Sequence, residues 1–287
     1  MISVFTPTYN RGLLLPRLYE SLCKQTYKDL EWLIVDDGST DNTKAVIDGF
    51  IAEDKINIRY FLQENGGKHR AINRGVKEAR GELFFILDSD DWLPEDALLN
   101  IAEIYEMVKD DQSFAGVSGH RGYADGTVVG NGQQEEFIDA NALDIRHKYH
   151  VTGDLNEVFR TSVMREFPFP EYEGEKFCPE ALVWNRIAQK YKLRYSKKIT
   201  YIADYQPGGL TARIVRVRMQ SPLASTTCYQ EMLSYDIPLK EKIKAAINYW
   251  RFRLCSQSTH AMQHLPLLWN IFMPIGWAMH LRDKSRG

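Results

Sequence analysis

Four short, almost uninterrupted apolar runs, Ile2-Thr6, Leu30-Val35, Ile58-Leu62 and Leu83-Leu87, punctuate residues 1–100. Unbroken runs of this length mark strands covered on both faces, as in parallel sheets. The segments between them read at helical spacing. One has Pro16 near its start and Leu15, Leu18, Tyr19 and Leu22 on one face; the next follows Asp41 as a cap and turns Val46, Ile47, Phe50 and Ile51 inward; a third runs from about Lys68 to Arg80 and stops before Gly81. This β-α-β-α order predicts an α/β fold, an open, mainly parallel, Rossmann-like sheet with helices on both faces.

From residue 110 to 205 the pattern is mixed: a strand-like Phe114-Ser118, a hairpin candidate at Asp125-Gly126, and a helix from about Pro179 to Tyr191. After a loop at Gln206-Pro207-Gly208-Gly209 the chain becomes helical, with Ile243, Ala246, Ile247, Trp250 and Leu254 at helical spacing. Three regions are expected, 1–110, 111–212 and a helical extension over 213–287.

In open parallel sheets, ligands bind beyond the carboxyl ends of the strands. The polar clusters sit at those ends: Thr8-Tyr9-Asn10-Arg11, Asp36-Asp37-Gly38-Ser39, Asn65-Gly66-Gly67-Lys68 and Asp88-Ser89-Asp90-Asp91. Asp88 and Asp90, two apart on the turn leaving a buried strand, offer oxygen ligands to a hard cation, Mg²⁺ or Mn²⁺, that also bridges diphosphate oxygens. An acidic triplet alone is weak grounds, but directly after Leu83-Phe84-Phe85-Ile86-Leu87 it costs stability unless it has work to do. Asp37 reads either as part of a turn and helix cap or as an acceptor for a ligand N–H such as the imide of uracil. Tyr9 reads either as core packing or as a stacking surface for a base. Gly66-Gly67 opening a helix that begins Lys68-His69-Arg70 suggests an anion site, because cationic side chains are unfavourable at a helix N-terminus without an anion to offset them.

Composition sharpens the picture modestly. With 287 residues, 44% hydrophobic, the chain can fill a sizeable core, and four cysteines without C-x-x-C spacing suggest a reducing compartment. Met1 leads straight into a strand-like run, so a place on the cytoplasmic side is expected. The net charge of −2 is uneven: from residue 205 onward eleven Lys and Arg face four Asp and Glu. A basic end on an acidic body fits either a solvated helical face or attraction to an anionic surface; nucleic acid is not expected as a partner.

Taken together, Thr6-Pro7-Thr8-Tyr9-Asn10-Arg11, Val35-Asp36-Asp37-Gly38-Ser39-Thr40-Asp41, Asn65-Gly66-Gly67, Ala71-x-Asn73-x-Gly75, Ala79-x-Gly81-Glu82 and Asp88-Ser89-Asp90-Asp91 resemble the family 2 glycosyltransferases with the GT-A fold. The resemblance covers the first third of the chain. It implies a donor-binding half over 1–110 and an acceptor-binding half over 111–212. It also implies an inverting transfer of one sugar from a nucleotide diphosphate donor, a UDP-sugar by expectation, to a saccharide or lipid-linked saccharide in cell-surface polysaccharide synthesis. Residues matching Pro7, Thr8, Tyr9 and Asp37 would contact the base, Asp88 would lie by the ribose, and Asp90 would bind the metal with Asp88. Arg11, Gly67, Lys68, Asn73 and Ser89, in or beside the matched motifs, complete the expected donor contacts.

The family's general base often stands in a Glu-Asp pair at a helix start. Here Glu175-Lys176-Phe177-Cys178-Pro179-Glu180 replaces it, and the spacing to Arg186 assigns the base to Glu180, with Glu175 as substitute. His147 and His150 read as surface residues, and His120, after the apolar run Phe114-Ser118, either as a satisfied structural histidine or as one that approaches the donor site. Leu265 to Met279 is apolar but too short to span a bilayer, leaving a packed helical hairpin or an interfacial anchor with Trp269 and Trp277 at headgroup level. Two other functions remain to be discriminated: a silent nucleotide-sugar-binding module, and a sugar-phosphate nucleotidyltransferase, which would need a Gly-rich basic loop after the first strand.

Overall fold

A computed structural model describes residues 1–204, 213–256 and 265–285. The loop expected at Gln206-Pro207-Gly208-Gly209 and the boundary at residue 212 lie outside the described residues. The elements run β1 (Ile2–Thr8), α1 (Leu15–Cys23), β2 (Leu30–Asp36), α2 (Thr43–Glu53), β3 (Ile58–Leu62), α3 (Lys68–Glu78), β4 (Leu83–Ile86), α4 (Ala97–Glu106), β5 (Phe114–Gly122), β6 (Phe137–Ala140), α5 (Asp144–His147), β7 (Leu155–Arg160) and α6 (Thr161–Glu166). They continue with α7 (Glu180–Ala188), β8 (Lys192–Ile202), α8 (Ile214–Gln220), α9 (Pro222–Met232), α10 (Leu239–Arg253), a 3₁₀ turn (Leu267–Phe272) and α11 (Met273–Lys284).

The fold is α/β, built on one eight-stranded sheet of order β3-β2-β1-β4-β7-β5-β8-β6. β3, β2, β1 and β4 are mutually parallel; β1, β2 and β4 are buried on both faces as expected, whereas β3, at the sheet's edge, is only half-buried and exposes Leu62. β7 joins β4 to β5 antiparallel to both, β8 runs parallel to β5, and β6 closes the edge antiparallel to β8. Tyr19 of α1 stacks on Phe50 of α2 with ring centroids 4.1 Å apart, both near Trp32 of β2. On α3, a Cβ at Gly75 would come within 2.3 Å of the Phe5 ring, so only glycine lets this helix lie so close to β1. One inward expectation is corrected: Ile51 is exposed, because α2 presents Ile47 and Phe50 to the core and ends one turn later in a left-handed Asp54.

The chain divides into two compact units: Met1–Pro168 with Arg186–Gln206, and Phe169–Asn185 with Pro207–Gly287. The first holds the sheet. The second is helical, with a small core of Leu233, Ala245, Ala246, Tyr249 and Leu265 and a Tyr229–Phe252 stack at 5.9 Å. Among the described residues no helix is long and apolar enough to cross a membrane.

Candidate active site

Parallel pairing of β1 to β4 places the four polar clusters on one edge of the sheet, and hydrogen bonds tie them in sequence. Asn10, in the left-handed region that asparagine tolerates, donates its backbone N–H to Ser39 Oγ at 2.8 Å. Its Oδ1 accepts the Thr40 N–H at 2.8 Å. Asp41, expected as the cap of α2, stands one residue before that position: Asn42 holds the N-cap, and Asp41 accepts the N–H of Thr43 from outside. Asp36, buried, accepts the Ser39 N–H at 2.7 Å and the Tyr60 hydroxyl at 2.8 Å.

Asp37 is buried as well, and its carboxylate is filled. One oxygen accepts Gln63 Nε2 at 2.8 Å and the Gly66 N–H at 2.9 Å; the other accepts Asn65 Nδ2 at 3.1 Å and the Gly67 N–H at 2.7 Å. Four donors match the capacity of an ionised carboxylate. The geometry needs glycine: Gly38 has φ 86° and Gly67 φ 97°. Asp37 and Gly67, each expected at the donor, are thus partners of one another. A buried carboxylate must be satisfied, and the α3 N-terminus supplies the nearest N–H groups. A ligand engaging either would exchange for one of these bonds. Beside this cage the Tyr9 ring is 49% exposed, which leaves its face open to stacking. Pro7 is half-buried and Thr8 buried, with the Thr8 carbonyl accepting the Asp37 N–H at 2.8 Å and Thr8 Oγ1 without a partner.

The loop after β4 has the opposite character. Lys68, the first residue of α3, forms an ion pair with Asp88 at 2.6 Å. Burial pushes the Asp88 carboxyl up, but Lys68 and Arg121, with Arg11 further off, outweigh it and hold the group below the usual carboxylate range. That charge then acts on its neighbours. Burial first, and Asp88 second, raise Asp90. The same two causes push Asp91 up to about 7, although the Tyr201 hydroxyl and the Asp204 N–H at 2.7 Å both donate to it. Ser89, between the two expected ligands, is buried, and Asn73 stands half-buried on α3.

Further contacts hold this loop from behind. The Asp88 N–H donates to Tyr201 Oη at 3.1 Å while the same hydroxyl donates to Asp91, so one fully buried tyrosine from the end of β8 grips both ends of the loop. Arg121 lies over the Tyr201 ring at 4.2 Å. Arg17 stacks on Trp92 at 3.8 Å and donates to the Asp90 carbonyl at 2.8 Å and to Asp204 at 2.7 Å. Trp92 and Ile202 exchange backbone hydrogen bonds. Sequence reasoning missed Arg121, Tyr201 and Asp204. The signals were a lone arginine closing an apolar strand and a tyrosine in a buried strand whose hydroxyl must find a partner.

Do these residues suit a divalent cation? Two ionisable carboxylates that resist ionisation beside an ionised third describe a loop short of positive charge, which is what a hard cation supplies. Asp88 and Asp90 fit as ligands. Among the described residues no third His, Cys, Asp or Glu joins them in a ready-made metal group, so the remaining positions would fall to diphosphate oxygens and water.

In the helical unit, Glu180 is the first residue of α7 and half-buried. Glu175 has another occupation. Its two oxygens accept the N–H groups of Leu223 at 2.6 Å and Ala224 at 2.9 Å, capping α9, whose own N-cap residue supplies no side-chain bond. Burial raises its carboxyl against those two donors. Of the two base candidates, Glu175 is the one committed to capping α9. His120 is buried, but not satisfied as a structural histidine would be: neither ring nitrogen has a partner.

Comparison with known proteins adds the chemistry. Residues 3–166, more than half of the chain, match the model of glycosyl transferase family 2. The GalNAc(5)-diNAcBac-PP-undecaprenol beta-1,3-glucosyltransferase of Campylobacter jejuni is 30% identical over 244 residues, 82% of this chain and 71% of the relative. GlyG, a glycosyltransferase of Streptococcus pneumoniae, is 38% identical over 124 residues, 43% of this chain and only 40% of GlyG. Among solved structures, Staphylococcus aureus TarS 1-349 in complex with UDP superposes with a TM-score of 0.61 at 22% identity, covering 90% of this chain and 73% of that one. A Pyrobaculum calidifontis mannosyltransferase in complex with GDP-Man and Mn²⁺ gives a TM-score of 0.57 at 17% identity, covering 100% of this chain and 75% of that one. At these identities the likeness is one of fold, the GT-A arrangement.

Proposed function

On the premise that this chain belongs to glycosyl transferase family 2, we propose that it moves a single sugar from a UDP-sugar to a saccharide hydroxyl, with inversion at the anomeric carbon. The carrying observation is the charge imbalance of the β4 loop, where Asp88 is paired with Lys68 while burial, and then the charge of Asp88, raise the carboxyls of Asp90 and Asp91. Lys68, Arg121 and Arg11 orient Asp88 and supply positive charge toward a diphosphate. Asp88 and Asp90 would hold a Mn²⁺ or Mg²⁺ ion, which when bound offsets the charge of the departing nucleoside diphosphate. Tyr9 offers a face for the uracil ring. Glu180 takes the proton of the acceptor hydroxyl as its oxygen bonds to the anomeric carbon and the bond to the diphosphate oxygen breaks. The Campylobacter relative's name, at 30% identity over 82% of this chain, supports a lipid-linked saccharide acceptor.

Turnover across a panel of UDP- and GDP-sugars, with Mn²⁺ and a polyprenyl-diphosphate saccharide as acceptor, tests this reading. Glu180→Gln should lose transfer by about 10²–10⁴-fold while thermal stabilisation by UDP with Mn²⁺ persists. Stabilisation by UDP without turnover of any donor would sink the transferase and leave a binding module.

A further inference from the structure

Helix α11 is built inside out. Its inner face consists of Gly276, His280 and Asp283, one helical turn apart. A Cβ at Gly276 would meet Trp250 Cβ at 2.5 Å and the Ile247 carbonyl at 2.7 Å, so α11 and α10 touch backbone to backbone there. His280 Nδ1 lies 3.2 Å from the Arg251 carbonyl, and Asp283 forms an ion pair with Arg251 in which both side chains are nearly buried. The apolar residues point the other way. Ile275, Trp277 and Leu281 of α11, with Leu267, Leu268 and Ile271 of the 3₁₀ turn, are between 46% and 86% exposed. A helix of a water-soluble surface has the reverse arrangement. Trp269, expected alongside Trp277, instead packs inward on Phe272 with centroids 6.1 Å apart and belongs to the small helical core.

Enclosing a charged pair while exposing six large apolar side chains is doubly unfavourable in water and reasonable beside a lipid phase. Charge decides between coverings. Asp283 is shared between Arg251 and, at 3.5 Å, the exposed Arg282, so with the exposed Lys284 the end of α11 carries more positive than negative charge. Residues 213–285 hold ten Lys and Arg against four Asp and Glu. A second copy would bring the same positive excess against itself, whereas anionic headgroups neutralise it.

We propose that the 3₁₀ turn and α11 form a platform that seats on an anionic bilayer, with Ile271, Ile275, Trp277 and Leu281 at the headgroup–acyl boundary and Arg282 and Lys284 among the phosphates. The proposal gives the lipid-linked acceptor its surface but stands on the α11 geometry. Flotation of the full chain on sucrose gradients should carry it up with phosphatidylglycerol/phosphatidylethanolamine vesicles and leave it down with phosphatidylcholine. The triple variant Ile275→Gln/Trp277→Gln/Leu281→Gln, altered only at exposed positions, should bind about tenfold or more weakly. Arg282→Glu/Lys284→Glu should lose the preference for anionic vesicles. Wild type that stays down, or a triple variant that floats equally well, overturns the platform. So does a wild-type dimer that the triple variant dissolves, since a second copy then covers the face. UDP-sugar hydrolysis in solution is read on the same samples: hydrolysis without flotation refutes the platform alone, and flotation without hydrolysis refutes the transferase alone.

Discussion

Two aspartate loops stand on the same edge of the sheet, and they handle charge in opposite ways. After β2, Asp37 is enclosed by four N–H donors and needs nothing more. After β4, Lys68 pairs with Asp88, and the other two carboxylates, Asp90 and Asp91, rise above their ordinary range. The first loop is a finished piece of architecture that locks α3 to β2. The second is incomplete by its own electrostatics, and its buried tyrosine and stacked arginine hold that incompleteness in place. Burial of an acid therefore says little about function until its partners are counted.

The comparison breaks or holds on paired substitutions. The largest effect belongs to Asp90→Asn: transfer should fall by about 10²–10³-fold, stabilisation by UDP with Mn²⁺ should vanish, and the melting temperature of the metal-free protein should stay level or rise, because a raised carboxyl has been removed. A clear fall in that melting temperature would mean that Asp90 is structural after all. Asp37→Ala should do the reverse. Four N–H groups lose their acceptor, and folding stability should drop by about 2–3 kcal/mol, visible in urea unfolding without any donor present. If stability is unchanged and only UDP binding is lost, the cage opens in solution and Asp37 belongs to the ligand.

This contrast was only half legible in the sequence. The parallel order of β1 to β4 was readable because β1, β2 and β4, buried on both faces, must be apolar throughout, and the four polar ends followed from that order. The insertion of β7 between β4 and β5 was not, since Leu155–Arg160 interleaves Asn156 and Arg160 with its apolar residues and both polar chains end up buried. Asp37 and Asp90 look alike in one dimension; what separates them is which N–H groups the fold brings near, Gly66 and Gly67 in one case and none but its own in the other. Glu175 and Glu180 were separated the same way, by the arrival of the α9 N-terminus at Glu175. On α11, composition revealed an apolar segment too short to span a bilayer but not which side faces in, because Gly276 and the Arg251–Asp283 pair overrule hydrophobicity.

A third buried polar group gives the comparison its finest test. His120 on β5 has neither the partners of Asp37 nor a cation to await. Burial, then the positive charge of Arg146 on α5, hold its imidazole below the ordinary 6.5. Tyr195 of β8, also without a partner for its hydroxyl, stays neutral across this range. The sign follows. As pH falls through about 6.5, the unfolded chain takes up a proton at His120 that the folded chain refuses, so stability declines with falling pH until the folded pKa is passed. His120→Leu should flatten the melting temperature between pH 7 and 5 relative to wild type, whatever it does to the absolute value. An unchanged slope would show that His120 is protonated in place, with water or an anion satisfying it as the N–H cage satisfies Asp37.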